Sequence, residues 1–144
     1  MTFTYEAAAL FDLVDAETSR LAAYLRFDGG ASAYDALKVH TNDKPTIEGF
    51  ITEAIDSILD KFGTESKYEN VDGEHLLKFY LPDFDNDRFS IAHSEIQDYI
   101  VHSATARWLL NRAFTEVAKI EAANAESSFN RAVSALRARK SFLI

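Results

Sequence analysis

The last 62 residues, Asp83 to Ile144, contain neither glycine nor proline. The two strongest helix breakers are therefore missing from more than a third of the chain. A continuous helix from about Ile91 to Lys140 would be roughly 75 Å long at about 1.5 Å per residue, against about 30 Å for the width of a small domain. The stretch must fold back on itself or reach out of the domain. Either outcome makes the protein mainly α. The run ends in a basic cluster, Arg137-Ala138-Arg139-Lys140.

At 144 residues the expectation is one domain spanning 1–144, large enough for a hydrophobic core without staples. A hydrophobic fraction of 47%, with 11 Phe and 6 Tyr, argues against intrinsic disorder. There is no cysteine, which excludes disulfides, thiolate metal sites and cysteine nucleophiles. Met1-Thr-Phe-Thr-Tyr-Glu6 lacks a basic segment followed by an apolar run, so no secretory signal is expected. No apolar stretch approaches the ~18 residues of a membrane span. These features predict a soluble, cytoplasmic chain.

A net charge of −8 argues against general nucleic-acid binding, which needs surplus Lys and Arg facing phosphates. The charge is also uneven. Residues 1–90 carry 18 acidic and 8 basic side chains, whereas residues 91–144 carry 5 acidic and 7 basic. Such polarity lets copies associate head to tail, or lets the basic end seek an acidic partner.

Along the chain, an apolar pattern from about Tyr5 to Phe27 predicts a first helix, ended by Asp28-Gly29-Gly30. Ser32 and Asp35 predict a further turn or two to Val39, followed by a polar loop from His40 to Pro45. Ile47, Phe50, Ile51, Ala54, Ile55, Ile58, Leu59 and Phe62 share one helical face. Thr46 is the expected N-cap of that helix and Gly63 its stop. Lys67-Tyr-Glu69 and His75 to Leu81, around Asn70-Val-Asp72-Gly73, predict a β-hairpin at about 66–81. Ser90 or Asp87 is the expected cap of a helix through Ile96, Tyr99, Ile100, Trp108 and Phe114. Asn124 is the expected bend before a C-terminal helical arm at about 120–144. The fold class is a helical bundle with a long C-terminal helix, or helix pair, and one β-hairpin insertion.

Chemistry-bearing motifs are sparse. Asp83, Asp85 and Asp87 have the spacing with which calcium loops begin, but the sixth loop position is Arg88 instead of glycine and the twelfth is Ser94 instead of glutamate. They read as an acidic loop whose last aspartates cap a helix. Glu95, Asp98 and His102 share a helical face, yet no second ligand helix is identifiable, so no metal is expected and His102 reads as a half-buried histidine beside Asp98. No nucleophile elbow, P-loop or dinucleotide fingerprint occurs, and Gly29-Gly30 follows no strand. The chain is read as having no catalytic residue and no cofactor. Phe79 and Tyr80 are neighbours in a strand and must face opposite ways, which makes the hairpin a candidate contact surface. The terminal Phe142-Leu143-Ile144 is a second candidate, since three exposed apolar residues are awkward on a free monomer.

The order of elements resembles the small head–tail connector (adaptor) proteins of tailed bacteriophages. Three stretches carry the resemblance: Thr46-Ile-Glu-Gly-Phe-Ile-Thr-Glu-Ala-Ile-Asp-Ser-Ile58, Ile96-Gln-Asp-Tyr-Ile-Val-His-Ser-Ala-Thr-Ala-Arg-Trp108 and Arg131-Ala-Val-Ser-Ala-Leu-Arg-Ala-Arg-Lys140. Together they cover about a quarter of the chain. The resemblance implies a non-enzymatic virion protein, assembled in the host cytoplasm into a ring of identical subunits against a portal or neighbouring ring. It implies no cofactor, membrane or sequence-specific nucleic acid. Phe79, Tyr80, Arg131, Arg137, Arg139, Lys140, Phe142, Leu143 and Ile144 are the residues expected to contact partners. The alternative is a cytoplasmic helical adaptor or regulatory module that binds one acidic protein through the basic tail.

Overall fold

A computed structural model of the protein describes residues 1–140. The chain opens with a strand, β1 (Thr2–Glu6), and passes directly into helix α1 (Ala7–Ala22). A single turn, α2 (Tyr34–Leu37), precedes helix α3 (Lys44–Asp60). The hairpin follows as β2 (Lys67–Val71) and β3 (Glu74–Lys78), and two long helices complete the fold, α4 (Phe89–Asn111) and α5 (Thr115–Leu136). The molecule is mainly α with a small antiparallel sheet, as the sequence predicts.

The hairpin forms where its turn residues place it. Asp72 (φ 52°) and Gly73 (φ 78°) both lie in the left-handed region, the type I′ geometry that matches strand twist in a two-residue loop. Val71 pairs with Glu74 and Lys67 with Lys78. The sheet has a third strand that the helical reading of Tyr5 onward excluded. β1 adds to the far side of β3, with Phe3 opposite Leu77 and Tyr5 opposite His75. Thr-Phe-Thr-Tyr alternates polar and apolar, so Phe3 and Tyr5 are buried while Thr2, Thr4 and Glu6 face water. Phe3 stacks on Phe89, ring centroids 4.6 Å apart, and meets Phe79 edge-on at 5.7 Å.

α1 also stops earlier than its apolar pattern suggests. Beyond Ala22 the chain doubles back, with Phe27 N–H donating to the Ala31 carbonyl at 2.8 Å and Ala33 N–H to Leu25 at 3.1 Å. Gly29 (φ 98°) and Gly30 (φ 91°) make that turn and do not cap the helix. α3 matches its apolar stripe: Ile47, Ile51, Ala54, Ile55, Ile58 and Leu59 are buried. It starts two residues before Thr46, on Asp43, with Pro45 inside the first turn where a missing N–H costs nothing.

The glycine-free C-terminal half folds back on itself. The break falls at Ala113, not Asn124, which lies inside α5. Ala113 has φ 66°; its N–H donates to Leu110 and Phe114 N–H to Leu109. That is the Schellman hydrogen-bond pattern, built on alanine where glycine is usual. Leu109 and Phe114 add its hydrophobic contact. α4 and α5 then run antiparallel, so Tyr99 packs on Phe129 and Glu95 meets Arg131. The expected arm is docked through Lys140. Lys140 N–H donates to Asp83 at 2.7 Å and Asp85 N–H to Ala138 at 3.2 Å, tying the exit of α5 to the acidic loop. The main core lies between the sheet, α1, α3, α4 and α5. A smaller cluster joins Ala22, Ala33, Leu37, Leu109 and Ala118. Trp108 anchors that end by donating from its indole N–H to the Leu37 carbonyl at 2.8 Å.

Candidate functional site

Two features of the described residues are candidates for contact or chemistry: the outer edge of the sheet, and a polar junction between three helices.

The two sheet edges differ. Register places the hydrogen-bonding groups of Phe3 and Tyr5 towards β3, so Thr4 points its carbonyl outward. His93 on α4 covers that edge: its Nε2 lies 3.3 Å from the Thr4 carbonyl, its ring stacks on Tyr5, and the Tyr5 hydroxyl donates to the His93 carbonyl at 2.8 Å. The other edge is open. Around the two-residue turn, Val71, Glu69 and Lys67 bond inward to β3, leaving the backbone groups of Tyr68 and Asn70 pointing away. Among the described residues no backbone group pairs with them. Val71 lies exposed on β2, and Tyr80, beyond the end of β3, is exposed at 63%.

The residues expected to meet partners separate here. Phe79 is 3% exposed and packs edge-on against Phe3 and Phe62, so it is core; the alternation of the strand turns Tyr80, not Phe79, to solvent. Arg131 donates to Glu95 at 3.0 Å and to Ser128 at 3.2 Å. Arg137 lies over the Phe62 ring at 5.6 Å, and Arg139 donates to the Leu136 and Ala138 carbonyls at the α5 terminus. The three arginines therefore have work within the chain, and Lys140 is exposed. Phe142, Leu143 and Ile144 lie outside the described residues. The aspartates of the 83–87 loop serve structure: Asp85 accepts from Asp87 N–H at 3.1 Å and starts the 3-10 turn that leads into α4.

The polar junction was not foreseen. His102 on α4 pairs with Glu121 on α5, Nδ1 to Oε2 2.7 Å, and not with Asp98. Glu17 on α1 brings a second carboxylate, so that one donor atom from each of Glu17, His102 and Glu121 lies within 4.8 Å of the others. Glu121 is 2% exposed, and Arg20 pairs with Glu17 at the rim. The Glu121 hydrogen bond raises the His102 pKa above its ordinary value, against burial, and the charges of Glu17 and Asp98 add to the rise. A sequence signal for this existed. Glu121 sits on the buried stripe Ala118, Glu121, Ala125, Ser128 and Ala132, one carboxylate among small residues.

His75, on β3, is a second buried histidine. The Tyr68 hydroxyl lies 2.6 Å from its Nδ1, and its Nε2 has no hydrogen-bond partner among the described residues, with Glu48 at 3.9 Å. Burial lowers the His75 pKa and raises that of Glu48.

No protein-family model, curated protein or solved structure matches this chain. Among the described residues no helix is long and apolar enough to cross a membrane.

Proposed function

We propose that the chain is a non-enzymatic structural protein that assembles with copies of itself into a closed ring, in the manner of a tailed-phage head–tail connector seated on a portal-like partner. The observation that carries this reading is the open outer edge of β2. An unpaired strand edge is a template for a second chain, and backbone pairing there extends the sheet from one subunit to the next. The opposite edge is covered by His93, so β2 paired with β2 would stop at a two-fold dimer, and a ring requires the β2 edge to take a different segment of the next subunit. Exposed Val71, on β2 itself, supplies apolar area to the same contact. The uneven charge of the chain's two parts favours association between unlike faces. The phage assignment itself rests on the resemblance of the three helical stretches, and with it the virion location.

The test is the native mass of the full-length chain and of Asn70→Pro over a wide concentration range. Proline at Asn70 removes an N–H that points out of the sheet, so the internal ladder survives. The wild type is expected to form a closed oligomer, and Asn70→Pro to remain folded and monomeric. A wild-type chain that stays monomeric at high concentration overturns the reading.

A further inference from the structure

We propose that Glu17, His102 and Glu121 form a binding site for a divalent transition-metal ion of the zinc class, clamped between α1, α4 and α5. The inference is independent of self-assembly.

Three donors reach this point from three separate helices, each within 4.8 Å of the others. Donors of a tetrahedral ion with bonds of about 2.0–2.2 Å stand roughly 3.3 Å apart, so closing the site needs side-chain shifts of an ångström or so and no movement of helices. The buried member gives the stronger argument. Glu121 is 2% exposed, yet His102 is its one hydrogen-bond partner among the described residues. A carboxylate has about four acceptor positions, and an ionised one taken out of water needs cationic company. Thr18, next to Glu17, and Thr105, one turn on from His102, are likewise buried with hydroxyls that lack partners among the described residues.

The donor set favours one class of ion. An imidazole with two carboxylates suits zinc and its neighbours, whereas calcium and magnesium need six or more hard oxygens. A shallow groove lined by Leu13, Glu17, Arg20, Gln97, Asp98 and His102 opens onto the two outer ligands. It provides an entry path and room for water as the fourth ligand. Arg20 holds Glu17 from a mostly exposed position and can release one oxygen at small cost. The ion replaces the proton shared by His102 and Glu121, so binding releases a proton and weakens as pH falls.

The experiment uses the full-length chain, stripped with EDTA and titrated with cobalt(II) at about pH 7.5, where a free imidazole is neutral. Absorption bands of a low-coordinate cobalt site are expected to saturate at one ion per chain and to vanish on adding zinc. Zinc should also raise the melting temperature, because it binds the native state alone. Glu17→Gln spares the buried pair and should weaken cobalt binding at least ~100-fold while melting like the metal-free wild type. Glu53→Gln, on an exposed carboxylate elsewhere, should bind normally. Absence of bands and of a thermal shift overturns the proposal, as does binding that survives both Glu17→Gln and His102→Gln.

Discussion

His75 is buried and His102 half-buried, their neighbours differ, and the two should tilt stability in opposite directions with pH. His102 donates to the Glu121 carboxylate, which raises its folded pKa. Its contribution is complete below the unfolded value of about 6.5 and is lost as pH rises through the folded value. His75 meets a phenol and a distant carboxylate, and burial lowers its folded pKa. Its contribution is complete above about 6.5 and is lost as pH falls towards the folded value. Urea midpoints between about pH 5 and 8 should show both limbs. His75→Leu is expected to flatten the acid limb relative to wild type, and His102→Gln the alkaline one. An acid limb unchanged in His75→Leu would remove the assignment. Neither environment was legible from spacing. His102 and Glu121 are 19 residues apart on different helices, and Glu17 is 85 residues before His102. Their meeting depends on how α1, α4 and α5 pack.

At the scale of elements, the α4–α5 connection shows how a helix can end without a breaker. Ala113 takes a left-handed conformation that costs an L residue with a Cβ about 1–2 kcal/mol, and the two Schellman bonds and the Leu109–Phe114 contact hold it there. Ala113→Gly removes that strain but loosens the unfolded chain, so a net gain of roughly 0.5–1 kcal/mol in urea unfolding is expected. Destabilisation instead would show that the methyl group packs in a way its exposure does not indicate. Where local chemistry was explicit, the elements were readable. The apolar stripe of α3 and the Asp72-Gly73 turn of the hairpin appear within a few residues of their predicted places. β1 was missed because it depends on a partner distant in sequence, and the Ala113 break because its local turn is built on alanine, without the glycine that signals a helix stop. Thr2–Glu6 alternates for only five residues and is a strand because β3 offers it an edge.

For the molecule as a whole, the docking of the C-terminus changes what a truncation would reveal. Leu136 is fully buried in the main core, and Arg139 bridges to Phe84 through the backbone. Cutting after Ala135 removes both, and a loss of at least about 2–5 kcal/mol is expected from the Leu136 side chain alone. Cutting after Lys140 spares every described contact and should leave the urea midpoint within error of wild type. That shorter cut, read by native mass, tests the expected role of Phe142-Leu143-Ile144 in assembly without disturbing the core. A large drop in stability after the shorter cut would show those residues to be part of the fold.

The sequence by itself determined a mainly helical chain without disulfides, the core face of α3, the hairpin with its turn, and a C-terminal half that had to double back. These follow from periodicity, turn chemistry and the reach of an unbroken helix, all of which act over a few residues or on total length. The tertiary structure alone decided where that half turns, which strand completes the sheet, that Phe79 faces inward, and that one sheet edge is covered while the other stays open. It also decided that a glutamate on an alanine-rich stripe meets a histidine and a second glutamate from two other helices. Those outcomes depend on distant segments competing for the same buried space and hydrogen-bond partners. Residue spacing along one chain holds no record of that competition.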